Sequence, residues 1–153
     1  MKGSRVCSRI AVAPEAAKPE EFIIVAPGGR DAQVVRDLLR SAGIGHCIDP
    51  SGDMLLDAIR GGAAAGAIIT DDAVARIEVD RLRQAIDGQP TWSDFPFVLL
   101  TRRGEASHAS RVIEELVNVT ILERPLHPAT LLSAARAARR GRNRQRIAAR
   151  HLP

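Results

Sequence analysis

The chain is poor in aromatic side chains. They make up 3% of its 153 residues, as one tryptophan, three phenylalanines and no tyrosine. A core must therefore be built from alanine, valine, isoleucine and leucine, and stacking of aromatic rings on a nucleic acid or a sugar is not expected as the main activity. The length corresponds to one domain of ordinary size.

Cysteines and long apolar runs are also scarce. The two cysteines, Cys7 and Cys47, form no CxxC pair and no Cys/His cluster, so neither a zinc site nor a disulfide framework is predicted. No apolar run approaches the roughly 18 residues that a membrane-spanning helix needs. We therefore expect a cytoplasmic protein with no membrane partner.

Acidic residues are absent from the C-terminal end. Seven arginines and no acid follow Ala135, and because the whole chain carries +4, the residues before Arg136 carry −3. Gly141 is expected to interrupt the last helix, which predicts an Arg-rich tail over residues 141–153 with solvated arginines. Such a run is most often a helix end favoured by the macrodipole. Without aromatics or a recognised reading helix, we do not expect nucleic acid as a partner.

Strand and helix patterns alternate along most of the chain. Residues 1–20 mix Ala, Pro, Ser and charged residues without periodicity, which predicts a flexible leader. Strands are expected near residues 22–25, 44–48, 63–69, 95–100 and 119–122. Helices are expected over 31–42, 54–59, 72–86 and 106–116, and from near 128. This alternation predicts one α/β domain over residues 21–140, with a parallel sheet, right-handed crossovers and helices on both faces.

In such folds the chemistry lies at the carboxyl ends of the strands. There the sequence places Ala26-Pro27-Gly28-Gly29-Arg30, Thr70-Asp71-Asp72, Thr101 and Glu123-Arg124-Pro125. The histidines lie on separate elements and no Ser/His/Asp or Cys/His arrangement is visible, so we expect no enzyme activity.

Three of these strand ends resemble the receiver domains of response regulators in two-component signalling. Gly66 to Asp71 is similar to the strand that ends in the phosphoacceptor aspartate, Phe97 to Thr101 to the strand with the switch Thr/Ser, and Ile121 to Pro125 to the strand with a Lys-Pro pair. The resemblance covers roughly Glu21 to Arg140. It implies a flavodoxin-like, doubly wound (βα)5 fold with a five-stranded sheet, with Asp71 as phosphoacceptor candidate and Asp72, Thr101, Arg124 and Pro125 lining the site.

The same comparison reveals departures at the functional positions. Where a phosphorylatable receiver carries an acidic pair that holds magnesium, this sequence has Ala26-Pro27, which offer no side-chain oxygen. Arg124 replaces the lysine, and its planar fork is not equivalent to an ammonium. Ile121 stands where an aromatic usually accompanies the switch residue. These changes indicate a degenerate receiver without a cofactor, with magnesium relevant only if Asp71 is phosphorylated.

Each candidate also has a structural interpretation. Asp71 or Asp72 could cap the third helix, and Thr101 could only satisfy backbone groups. Arg124 could pair with Asp71 or Asp72 as a fixed counter-ion. Asp31 lies a turn late for the site and is interpreted as the N-terminal acid of the first helix.

The preferred hypothesis is a non-catalytic protein-interaction domain of bacterial two-component signalling, either free-standing or a fragment of a larger sensor kinase. Its expected partners are a histidine kinase, another receiver or a second copy, through a face that includes Arg111, Glu114, Glu115 and Arg136. One alternative is a response regulator phosphorylated on Asp71. Another is a nucleic-acid or nucleotide-binding module that uses the Arg-rich tail or the Pro27-Gly28-Gly29 turn.

Overall fold

The computed structural model describes residues 5–6, 17–26, 30–101 and 118–151. Its strands are β1 (Arg5–Val6), β2 (Phe22–Val25), β3 (His46–Ile48), β4 (Gly66–Thr70), β5 (Phe97–Thr101) and β6 (Val119–Glu123). Its helices are α1 (Arg30–Ser41), α2 (Asp53–Gly61), α3 (Asp71–Arg76), α4 (Val79–Asp87) and α5 (Pro128–Arg150). The helix predicted over 106–116 lies outside the described residues, as do Arg111, Glu114, Glu115 and the Pro27-Gly28-Gly29 turn.

The strands form one all-parallel sheet in the order β1-β3-β2-β4-β5-β6. All five predicted strands are present, and without β1 their order is that of a flavodoxin-like fold. The sixth strand, β1, lies within the predicted leader and pairs with the outer edge of β3. The sheet therefore has one strand more than the five predicted, and this additional strand is two residues long.

Successive side chains of the central strand β2 enter two different cores. Ile23 and Val25 pack with α2, α3 and α4 on one face, whereas Phe22 and Ile24 pack with α1 and α5 on the other. Every residue of β4 is buried. Burial on both faces explains why the central strands read as continuous apolar runs, and it confirms the predicted helices on both faces.

The helix predicted over residues 72–86 is divided in two. Ile77 and Glu78 adopt extended backbone conformations between α3 and α4, and the Ile77 side chain is buried in the core. Apolar spacing alone did not distinguish one helix from two, because both segments place their apolar residues towards the same core.

The last helix does not end at Gly141. Helix α5 continues to Arg150, so the expectation of a helix interrupted at Gly141 is wrong. Among the arginines after Gly141, Arg144 and Arg150 are exposed as expected, whereas Arg142 is not. Arg142 is 0% exposed: its Nε donates to the carbonyl of Ala64 (3.2 Å) and its Nη1 donates to Ser93 Oγ (2.6 Å). The guanidinium carbon lies 5.1 Å from the ring centre of Trp92 and 5.2 Å from that of Phe95.

Arg146 makes a second set of contacts one turn later. It donates to the carbonyls of Pro19 (2.8 Å), Gly62 (3.2 Å) and Ala64 (2.6 Å). These carbonyls precede β2 and β4, at the edge of the sheet opposite the strands' carboxyl ends. The second half of α5 is thus fixed to the loops that begin the central strands.

Cys47 is fully buried on β3 and is disulfide-bonded, although the cysteine pattern predicts no disulfide framework. The chain's other cysteine, Cys7, lies outside the described residues. Among the helices that the structure describes, none is both long and apolar enough to cross a membrane.

Candidate functional site

The predicted site residues converge at the carboxyl ends of β4, β5 and β6. Register places Thr70 beside Leu100 and Thr101 beside Glu123, so Asp71 and Arg124 follow their strands at the same edge. Asp71 is the first residue of α3 and only 6% exposed, and its Oδ1 accepts a hydrogen bond from the Asp72 amide (2.9 Å).

The Arg124 guanidinium lies between two carboxylates. Its Nη2 is 3.5 Å from Asp71 Oδ1 and 3.3 Å from Asp31 Oδ2. Its backbone amide donates to the carbonyl of Thr101 (2.9 Å), which attaches the start of the loop to the end of β5. The expected pairing of Arg124 with Asp71 is therefore present, and the pairing considered with Asp72 is not.

Asp31 belongs to the site, contrary to the expectation that it serves only as a helix N-terminal acid. It lies in the first turn of α1, and α1 begins just after the central strand β2. A first-turn side chain there can reach the same edge as the residues after β4 and β6. Counting residues from the strand end missed it, because the relevant distance is across the sheet edge.

The cap of α3 is neither of the aspartates considered for that role. Thr70 occupies the N-cap position with an extended backbone, and its Oγ1 accepts a hydrogen bond from the Ala73 amide (3.2 Å). Asp71 is consequently free of a capping role, and Asp72 is exposed to solvent.

Thr101 is 3% exposed and ends β5. Its backbone carbonyl accepts a hydrogen bond from the Arg124 amide, a contact that does not involve the Thr101 hydroxyl. A switching role for its hydroxyl stays a prediction.

Comparison with known proteins gives matches of structure only. No protein-family model and no curated protein matches this sequence. Full-length FixJ from B. japonicum has a TM-score of 0.65 at 20% identity, over 82% of this chain and 60% of that chain. A CheY-like receiver domain protein from Methanospirillum hungatei has a TM-score of 0.64 at 16% identity, over 84% and 98%. The chain has the receiver-domain fold.

One structure of the same fold has an enzyme name. It is described as adenylate cyclase from Rhodopirellula baltica, with a TM-score of 0.59 at 16% identity over 81% of this chain and 90% of that chain. At these identities the likeness concerns the fold, and this chain spans about 60% of the length of FixJ. Function depends on the site residues.

Receiver folds imply a magnesium ion beside the phosphoacceptor, and the side chains in the described part of the chain do not fit one. Ala26, which follows β2, is buried and has no side-chain oxygen. Asp49, after β3, uses its carboxylate to accept hydrogen bonds from the amides of Ser51 (3.3 Å) and Leu55 (2.9 Å). Asp31 and Asp71 both face the Arg124 guanidinium, where a hard dication would require oxygen ligands, and Asp72 and Glu123 are exposed.

Electrostatically the receiver-fold site is a compact three-charge cluster. The Asp71 side chain is 7% exposed and that of Arg124 is 22% exposed, whereas that of Asp31 is 45% exposed. Arg124 Nε is buried and makes no hydrogen bond, so the guanidinium is held through Nη2. The cluster can neutralise a buried carboxylate, and it contains no base beside a nucleophile.

Proposed function

We propose that this chain is a receiver-like protein-interaction domain of two-component signalling that acts without phosphorylation of Asp71. The observation that carries the proposal is the Arg124 guanidinium between Asp71 and Asp31. In this arrangement the phosphoacceptor position already has a counter-ion supplied by the chain itself.

The proposal follows from what phosphoryl transfer to a carboxylate requires. The transferred group carries negative charge that a metal ion or fixed cations must neutralise while the carboxylate attacks. Here no side-chain oxygen is available from Ala26 and the guanidinium already contacts Asp71. We therefore assign the domain no cofactor and no catalytic step, and Asp71 is a structural anion that keeps the β6–α5 loop in one position.

A groove on α5 and β6 supports a role in protein contact. It has a volume of about 480 Å³ and is lined by small or apolar side chains from both elements, namely Thr120, Leu122, Ala129, Thr130, Ser133, Ala134 and Ala137. A groove between the outermost strand β6 and a helix suits docking of a partner's helix or loop. The proposed partners are a histidine kinase, another receiver or a second copy, and the proposed location is cytoplasmic.

Phosphorylation chemistry tests the proposal directly. The full chain is incubated with acetyl phosphate and magnesium and then analysed by intact mass, with Asp71→Asn as the matched control. We expect no adduct on either protein. An adduct on the wild type that is absent from Asp71→Asn would overturn the proposal in favour of a working response regulator.

A second measurement avoids dependence on adduct lifetime. Beryllium fluoride with magnesium forms a stable phosphoryl analogue on competent receivers, and its binding would raise the melting temperature by mass action. We expect the same melting temperature with and without it for wild type. A rise that Asp71→Asn removes would contradict the proposal.

A further inference from the structure

The two faces of α5 have different environments. Arg142 and Arg146 point to the body of the domain, where they satisfy backbone carbonyls and, for Arg142, lie against Trp92 and Phe95. Because these contacts fix the second half of the helix, its opposite face is presented to solvent in a defined orientation.

The outward face is strongly basic. Arg136, Arg140 and Arg144 are exposed and follow one another at four-residue intervals, which places them on one side of a helix. Asn143 and Ile147 lie among them on that side, and both are exposed. The arginines are therefore neighbours along one ridge, about 6 Å apart along the axis.

Nothing in the helix compensates this charge. Helix α5 contains no aspartate or glutamate, and the ion pairs found among the described residues do not involve Arg136, Arg140 or Arg144. The residues before Arg136 carry a net −3, so the basic face is a local feature and not a property of the whole surface. A polyanion is the complementary ligand.

We propose that the outward face of α5 binds the phosphate backbone of duplex DNA. Arginine forks match phosphate oxygens, and a row of charges along a rigid helix complements the closely spaced phosphates that flank the major groove. The exposed Asn143 and Ile147 are compatible with approach to base edges, since amide groups contact adenine and apolar groups contact the thymine methyl.

Other polyanions fit the face less well. A membrane-surface helix needs a broad apolar face with Leu, Phe or Trp, and here the outward face has the single large apolar residue Ile147. A docked acidic helix would also need an apolar stripe beside the charges, and the groove of α5 and β6 ends at Ala137, before Arg140 and Arg144. Duplex RNA has a deep, narrow major groove that does not admit a helix.

The structure changes the premise that weighed against nucleic acid. That expectation depended on the lack of aromatics and of a recognised reading helix, in a chain whose last helix is expected to be interrupted at Gly141. The observed helix is continuous over Pro128–Arg150 and is anchored along one side, which supplies a rigid basic helix.

The test compares two triple variants of the full chain with equal loss of charge. The face variant is Arg136→Gln, Arg140→Gln, Arg144→Gln, and the matched control is Arg60→Gln, Arg76→Gln, Arg83→Gln, which alters exposed arginines of α2, α3 and α4. Binding to a fluorescent duplex DNA of about 20 base pairs is measured by anisotropy at several salt concentrations. Circular dichroism confirms folding of both variants.

We expect the wild type and the control to bind with a similar salt slope. The face variant should bind at least about tenfold more weakly than the wild type. Its salt slope should be smaller by about 2 to 3, since each lost phosphate contact removes about 0.9 from the slope. Equal weakening in both triple variants would overturn the proposal, because net charge would then be sufficient. Absence of wild-type binding, or tighter binding to duplex RNA, polyglutamate or anionic vesicles, would also overturn it.

Discussion

Two arginines, Arg142 and Arg124, are largely removed from water in different ways. Arg142 has carbonyl oxygens, a hydroxyl and aromatic rings around it, and burial, together with the nearby Arg146, lowers its pKa to about 10. At neutral pH it remains protonated, so a buried cation is stabilised by dipoles and ring faces. Arg124 instead contacts two carboxylates of unequal exposure. Removing either arginine leaves polar groups that have lost their partner.

Arg142→Ala should lower the free energy of unfolding by about 3 kcal/mol or more, because it removes a buried side chain and takes its donor from the Ser93 hydroxyl and the Ala63 carbonyl. Urea denaturation followed by circular dichroism measures the change. Arg140→Ala, on the outward face, is the matched control and should alter stability by less than about 0.5 kcal/mol. Equal effects of the two variants would show that Arg142 is not an anchor.

A double-mutant cycle should rank the two Arg124 ion pairs by burial and not by distance. Asp31 Oδ2 is nearer than Asp71 Oδ1, yet its side chain is 45% exposed against 7% for Asp71. We expect a coupling energy of about 1 kcal/mol or more for Arg124→Gln with Asp71→Asn, and about 0.5 kcal/mol or less with Asp31→Asn. Urea denaturation of the single and double variants checks the order, and a reversed order would mean that solvent screening is not decisive.

The site residues differ in how far sequence could predict them. Asp71 and Arg124 were found because each directly follows an apolar strand, and parallel strand ends share one edge. Asp31 is assigned another role by sequence because its position in the first turn of α1 gives no indication that it lies close to Arg124 across the sheet edge. The buried position of Arg142 gave no local signal, since its partners Ala64 and Ser93 are remote in sequence and arginine is usually exposed.

At the scale of elements, apolar periodicity predicts the strands and most of the helices that the structure describes. It does not predict where the helices end. Glycine predicts an interruption at Gly141, which is helical, whereas Ile77 gives no break signal and separates α3 from α4. Helix α5 continues through Gly141 because Arg142 and Arg146 anchor the turns after it. Tertiary contacts thus override local propensity here.

Gly141→Ala and Gly62→Ala should have opposite effects on stability. An added Cβ at Gly141 meets only Arg144 Nη2 at 3.8 Å, so alanine should raise the free energy of unfolding by about 0.5–1 kcal/mol. At Gly62, φ is +70° and a Cβ would lie 2.7 Å from a Trp92 ring atom, so alanine should destabilise by more than about 1 kcal/mol. Thermal and urea unfolding measure both, and destabilisation by Gly141→Ala would contradict a continuous α5.

At the scale of the molecule, the end of α5 belongs to the folded domain and not to a tail. Sequence reasoning ended the domain at residue 140, yet Arg146 contacts segments before β2 and β4, and Gln145 Oε1 accepts from the amide of Asp94 (3.0 Å) before β5. These contacts connect the starts of β2, β4 and β5. The three strands are parallel, so each is joined to the next by a crossover and not by a direct turn. A single helix side therefore holds together loops that are far apart in sequence.

Removal of residues 141–153 should accordingly lower the melting temperature and expose the only tryptophan. Trp92 is in contact with Arg142, so its emission should shift to longer wavelength in the folded truncated chain. Removal of residues 152–153 alone is the control and should change neither quantity. Because the truncation deletes at least one buried side chain with several hydrogen bonds, we expect a loss of about 3 kcal/mol or more. An unchanged melting temperature and emission would instead place the end of the cooperative unit at residue 140, and would remove the rigid support on which presentation of the basic face depends.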